Sequence, residues 1–178
     1  MIDTERLRLR PWREDDKPAF HDIINTSAMM AHFGGVRPRA GIDALIDQQM
    51  ASQARDGCSM WAVDMRDGEL AGICGVRWQT FYPGRIPVDG ELEIGWRIAE
   101  RWWGRGVARE AAAASLAWAW ANTAAPRVAA WTSLGNTRSW GLMERLGMRR
   151  AAELDFQHPK VAADDPDGAM IVYVIDRP

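Results

Sequence analysis

The sequence predicts a mixed α/β fold: six or seven strands in a sheet, flanked by about four helices. Three observations predict it. Some segments alternate apolar and polar residues every second position, as strands do; others space their apolar residues at 3.6, as helices do. Gly- and Pro-containing turns separate the two kinds. The predicted order is β-α-α-β-β-β-α-β-α-β-β, which lacks the regular βαβ alternation of a doubly wound sheet. At 178 residues the chain suits one domain over 1–178, large enough to fold without a disulfide or a metal.

Residues 6–11 alternate Arg and Leu, which sets Leu7 and Leu9 on one face of a strand. A helical pattern covers 15–25, and the pair Gly34-Gly35 interrupts the chain after it. A second helix spans 42–55, with Ile42, Leu45, Ile46, Gln49 and Met50 on one face and Gly57 as its stop. Residues 61–65 and 70–78 flank Arg66-Asp67-Gly68-Glu69, and an Asp-Gly between apolar runs signals a hairpin. A Pro- and Gly-rich loop covers 81–90. Strand 91–98 then sets Leu92, Ile94, Trp96 and Ile98 on one face and Glu91, Glu93, Gly95 and Arg97 on the other. Gly104 and Gly106 introduce an Ala-rich helix running to about Ala121. A strand at 127–133, a helix at 136–146 stopped by Gly147, and two strands near 148–156 and 170–176 complete the order. A polar loop with Asp164-Asp165-Pro166-Asp167-Gly168 joins the last two.

Composition excludes several function classes. Of 22 basic residues all but Lys17 and Lys160 are Arg, and ten Trp stand against four Phe and two Tyr. The formal net charge is nevertheless −2, which disfavours a protein that coats nucleic acid. RNA stacking on Trp would need a basic run that the chain does not have. Cys58 and Cys74 form no CxxC, and both read as small buried residues. His21, His32 and His158 are scattered and read as structural, so no metal is expected. The start of the chain is charged at once and does not read as a signal peptide. The longest apolar run, residues 111–121, is too short to span a membrane. A cytoplasmic location is the expectation.

The most informative stretch is 91–110, where a strand leads through a glycine turn into a helix. A helix start presents free N–H groups and the positive end of its dipole, which suits an anion. Gly104 and Gly106 would let phosphates approach the main chain. Arg101 and Arg105 add charge and bidentate donors. A plain turn and cap is the competing reading of the same residues. The phosphate loop GxxxxGK[ST] is absent. Arg109 stands where the dinucleotide fingerprint needs its third glycine, so a Rossmann site is not expected either.

Arg101-Trp102-Trp103-Gly104-Arg105-Gly106 resembles the signature of the GNAT N-acetyltransferases, which use acetyl-coenzyme A. Thr4-Glu5-Arg6-Leu7-Arg8-Leu9-Arg10, Glu93-Ile94-Gly95-Trp96-Arg97 and Trp103-Gly104-Arg105-Gly106-Val107-Ala108 resemble the branch that acetylates ribosomal-protein N-termini. So do Asn136-Thr137-Arg138-Ser139, the stretch Met143–Met148 and Asp155-Phe156-Gln157-His158-Pro159. The resemblance covers nearly the whole chain in family order. It implies a mostly antiparallel sheet and acetyl-CoA as co-substrate. It also implies that the amides of residues 101–107 cradle the pyrophosphate, with Val107 at the helix start. The main chain at Trp96 and Ile98 would pair with the pantetheine arm in a strand-like addition. Asn136 would hydrogen-bond that arm and Arg138 reach a phosphate, although Asn136 also suits an N-cap and Arg138 a solvated charge. Trp103 reads as core packing.

Acetyl transfer needs a neutral amine, a donor for the developing oxyanion and a proton or equivalent for the departing thiolate. Direct attack within a ternary complex is what the resemblance implies. Glu93 is the first candidate base, and Glu91 or a water the alternatives; paired surface charges are the competing reading. The Tyr that many members keep seven residues after the Asn is Met143 here, which leaves Ser139 as candidate donor to the thiolate. The acceptor is a small-molecule amine or a protein N-terminus. Its contacts would come from the first two helices, the 81–90 loop and the tail around His158. Trp12, Phe33, Trp78, Phe81 and Tyr82 are aromatic candidates. A non-catalytic acyl-CoA sensor is the alternative function. Oligomeric state is open between monomer and homodimer.

Overall fold

β1 (Ile2–Asp3) pairs antiparallel with β2 (Leu7–Arg10), in which Leu7 and Leu9 are fully buried and Arg8 is exposed. That is the period-2 pattern read from the sequence. The computed structural model describes residues 1–162, 164–165 and 168–178. Pro166 and Asp167 of the polar loop lie outside the described residues. The chain packs as two units, one of Met1–Arg77 with Ile94–Trp118 and one of Trp78–Glu93 with Ala119–Pro178.

In the first unit a 3₁₀ turn at Glu14–Asp16 leads into α1 (Lys17–Ile24), followed by α2 (Ser27–Met30) and α3 (Arg39–Asp56). Arg10 anchors this turn to the strands. It donates to both Asp16 oxygens at 2.7 and 2.8 Å and to Asp64 at 2.6 and 3.2 Å. Thr26 Oγ1 accepts the Met29 N–H and so caps α2. Gly57, the stop read from the sequence, ends α3 in the left-handed conformation. α3 buries Ile42, Ile46 and Gln49 but leaves Leu45 and Met50 only partly covered. β3 (Met60–Met65) and β4 (Leu70–Trp78) make the hairpin read from Asp67-Gly68. α1–α3 cover these strands with a core that includes Trp12, Phe20, Ile24, Met30 and Ile46.

β5 (Leu92–Ile98) lies against β4: Ala99 N–H donates to Ala71 O at 2.8 Å and Gln79 N–H to Glu91 O at 2.8 Å. α4 (Val107–Asn122) follows the glycine turn. In the second unit Leu92 and Glu93 pair in parallel with Val128 and Ala129 of β6 (Arg127–Ser133). α5 (Thr137–Arg145) comes next, then β7 (Arg149–Arg150), β8 (Phe156–Gln157) and β9 (Ala169–Asp176). β9 pairs antiparallel with the whole of β6, and β7 and β8 pair with β9. Strand neighbours follow the order β1-β2-β3-β4-β5-β6-β9-β7. Arg177 donates to the carbonyls of Trp120, Thr123 and Ala125 and closes the end of α4. Among the described residues no helix is long and apolar enough to cross a membrane.

The mixed, mostly antiparallel sheet is as expected, but among the described residues nine strands and five helices replace six or seven and about four. β1, which has two residues, and α2, a single turn, are additions too short for a periodicity to show, and the expected strand near 148–156 is split into the two-residue β7 and β8. The strand expected near 148–156 is interrupted by a 3₁₀ turn at Ala152–Leu154. Asp155 Oδ1 accepts the Val172 N–H at 3.0 Å, so a side chain takes a ladder position that a strand carbonyl would occupy.

Candidate active site

The end of β5 sets two main-chain edges. N–H and C=O of successive strand residues point to opposite sides. Ala99 is bonded to β4, so Trp96 and Ile98 direct their main-chain groups away from it. The Ile98 carbonyl already accepts the Trp103 indole N–H at 2.6 Å. Trp103 itself packs on the core of the first unit, as the sequence suggested. After a 3₁₀ turn at Glu100–Trp102, Gly104 and Gly106 adopt φ of +72° and +78°, in the left-handed region. A side chain at either position is strained. A Cβ on Gly104 would meet no atom within 4 Å, so the main chain there is open. The first hydrogen bond of α4 runs from Glu110 N–H to Gly106 O. The amides before it have no carbonyl within the helix to bond. Val107 is buried.

The two arginines expected at this turn behave differently. Arg101 is paired with Glu69 and donates to Leu70 O at 3.2 Å, so its guanidinium is held by β4 and the residue before it and not by the turn. Arg105 lies on the turn, with its guanidinium 5.5 Å from the Trp102 ring. A third cation reaches the turn from the N-terminal motif, where the sequence pattern alone gives it no role. Arg6 donates to Arg105 O at 2.9 Å and to Glu110 Oε2 at 2.6 Å.

In the second unit, Glu93 is 6% exposed and its Oε2 accepts from the Gln79 side-chain amide at 3.0 Å. Gln79 is fully buried, and its Oε1 accepts the Phe81 N–H at 3.0 Å. Neither contact has a sequence signal, because Gln79, the residue after β4, is brought to Glu93 only by its main-chain bonds to Gly90 and Glu91. Glu91, the alternative base, is bound in a fork by Arg127, one arm at 2.8 Å. This pairing raises the Arg127 pKa. It gives Glu91 a structural partner on β6, which favours its reading as a paired charge.

Asn136 precedes α5 with φ −82° and ψ 64°, and its side chain caps no helix N–H. Its Nδ2 donates to Thr132 Oγ1 at 3.0 Å. The capping role is thereby set aside, and the Asn side chain is oriented by a β6 hydroxyl. Arg138 is exposed and Ser139 half-buried in the first turn of α5. Met143 is 2% exposed, so the residue in place of the usual Tyr is a core residue.

The 81–90 loop and the tail around His158 meet. Tyr82 Oη lies 3.3 Å from His158 Nε2. His158 Nδ1 accepts the Lys160 N–H, so the neutral ring carries its proton on Nε2 and donates it to Tyr82. Trp131 of β6 stands edge-on to Phe156 and tilted against His158. Of the other aromatic candidates, Trp12 is core: it is 5% exposed and donates to Met60 O. Phe33 packs on the same core beneath Arg97. Trp78 lines a recess of about 500 Å³ with Leu92, Pro126 and Arg127. Cys58 and Cys74 are buried and unbridged. Burial pushes the Cys74 thiol up to about 12, against weaker opposing bonds from Ser115 and Gly75.

Residues 6–149 match the family model of the acetyltransferase (GNAT) domain. The chain is 30% identical over 147 residues to the uncharacterized protein YkkB of Bacillus subtilis, covering 82% of this chain and 83% of that one. The crystal structure of an acetyltransferase from Agrobacterium tumefaciens superposes with a TM-score of 0.78 at 27% identity, over 98% of this chain and 92% of the other. RimL, a ribosomal L7/L12 α-N-protein acetyltransferase solved with coenzyme A, shares the fold. Its TM-score is 0.75 at 15% identity, over 97% and 95% of the two chains.

Proposed function

The chain belongs to the GNAT acetyltransferase family, and from that premise we propose that it transfers the acetyl group of acetyl-CoA to a primary amine. The single observation that carries the proposal is the glycine turn. Two left-handed glycines open main-chain amides at a helix start, an arrangement suited to a diphosphate. In this reading the amides of Gly104, Gly106 and Val107 bind the diphosphate with the Arg105 guanidinium; of the wider cradle expected over 101–107, the amides of Trp102, Trp103 and Arg105 instead donate to the carbonyls of Ala99, Glu100 and Trp102. The main-chain groups of Trp96 and Ile98 that face away from β4 bond the pantetheine arm, with Asn136 as a further partner. Arg138 takes a phosphate. Arg101 contributes only by exchanging Glu69 for the ligand.

The amine nitrogen attacks the thioester carbonyl carbon directly, forming a C–N bond. Glu93, its carboxylate held by Gln79, takes a proton from the attacking nitrogen, directly or through one water. The C–S bond then breaks. The Ser139 hydroxyl hydrogen-bonds the departing thiolate and relays to it a proton that comes from water. Small-molecule amines and protein N-termini are both acceptors to test. Tyr82, His158 and Trp131 are the side chains proposed to contact them.

Calorimetry with coenzyme A tests the turn. Wild type binds, and Gly104→Val binds about tenfold more weakly or worse, because a β-branched residue cannot adopt the left-handed conformation without strain. Unchanged binding by Gly104→Val overturns the assignment.

A further inference from the structure

Thr4 and Arg6, in the turn between β1 and β2, reach the start of α4. Thr4 Oγ1 donates to Glu110 Oε1 at 2.6 Å, and the Arg6 N–H donates to the same oxygen at 2.9 Å. The Arg6 guanidinium spans two partners, Glu110 Oε2 and the Arg105 carbonyl. A Cβ on Gly106 would lie 3.3 Å from Arg6 Nη2, so the guanidinium lies beside the glycine turn itself. Burial would raise the Glu110 carboxyl, but the Thr4 hydroxyl and the Arg6 amide and guanidinium outweigh it and hold it below the usual carboxylate range. At neutral pH a negative charge therefore sits one turn inside the helix whose start is proposed to take phosphate.

Taking the glycine turn as the coenzyme A diphosphate site, the reading proposed for it, we infer that Arg6 is a positioning residue for that diphosphate. It acts in two ways. It neutralises Glu110, which otherwise opposes an incoming phosphate. It also orients the Gly106 amide. The Arg105 C=O and the Gly106 N–H belong to one planar trans peptide and point in opposite directions. Tying that carbonyl to Arg6 turns the Gly106 N–H the other way, as a fixed donor. The dipole accounts for a carboxylate near a helix start. It does not account for a guanidinium bonded to the turn's own carbonyl.

Coenzyme A calorimetry on wild type, Arg6→Ala, Arg6→Ala/Glu110→Gln and Arg6→Lys tests this. Arg6→Ala should weaken binding about tenfold or more, the scale of a lost charge-assisted contact. The double variant should recover part of that loss, because the uncompensated carboxylate is gone. Arg6→Lys keeps the charge without the fork and should fall between wild type and Arg6→Ala; it also serves if the alanine variant does not fold. A merely structural role predicts the double variant to bind as weakly as Arg6→Ala or more weakly, and that result overturns the inference. So does Arg6→Ala, or Arg6→Lys in its stead, binding like wild type. If wild type itself does not bind coenzyme A, the reading of the turn fails and takes the role of Arg6 with it.

Discussion

Glu93 takes its setting from Gln79. A buried carboxylate needs a donor, and the fully buried Gln79 amide supplies one while its carbonyl oxygen accepts from Phe81. If Glu93 is the base, Glu93→Gln lowers kcat/KM by about a hundredfold or more, the usual contribution of proton transfer. Gln79→Leu should lower kcat while leaving the KM for acetyl-CoA unchanged, since Gln79 touches the base and not the coenzyme turn. Steady-state rates on a turned-over amine check both, and an unaltered Glu93→Gln profile removes Glu93 from the mechanism. Glu93 was legible in the sequence because a strand alternation set it as a carboxylate on one face. Gln79, Thr132 and Arg6 were not. Each acts through a partner reached by main-chain bonds beyond a strand end, by a strand-to-helix turn or by the fold of the N-terminal turn, and none of these shows in an apolar pattern.

At the scale of elements, β2, the 3₁₀ turn before α1 and β3 are joined by one guanidinium. Arg10 and its partners Asp16 and Asp64 are 11–12% exposed at the side chain. Burial opposes the charge on Asp16, but bonds from Arg10 and the Arg13 amide prevail and lower its pKa. The native carboxyl thus titrates below its unfolded value. Its contribution to stability is complete above about pH 4, the unfolded value, and is lost as pH falls through the lower native one. Glu110, also lowered, acts in the same direction. Denaturant midpoints measured from pH 6 downward should therefore fall below about pH 4. Arg10→Met should be destabilised by roughly 3 kcal/mol at neutral pH, because it strands two largely buried carboxylates. A midpoint unmoved by either change contradicts the role given to this cluster. Elements of four residues or more with a clean period, such as β6 and α4, were legible from the sequence. The interruption at Ala152–Leu154 was not, because the Asp155 side chain replaces a backbone partner and leaves the apolar pattern intact.

For the whole molecule, the Arg surplus acquires a structural account at several positions. Arg10, Arg127 and Arg177 each bind two or more acceptors at once, which a lysine point charge cannot do in the same geometry. With acids balancing Arg10 and Arg127, the net charge of −2 is consistent with a molecule that recognises one small polyanion locally. The family was legible because its motifs lie in the main-chain turn and the strand that feeds it. The acceptor was not, since the segments proposed to contact it are loops whose meeting, Tyr82 against His158, depends on the tertiary fold. The most direct measurement of the central claim is release of coenzyme A thiol from acetyl-CoA across a panel of small amines and peptide N-termini, with mass detection of the acetylated product. Amine-dependent thiol release with a matching acetyl-amine product is the predicted result. Coenzyme binding with no product on any amine or peptide would contradict it and make the protein an acyl-CoA sensor.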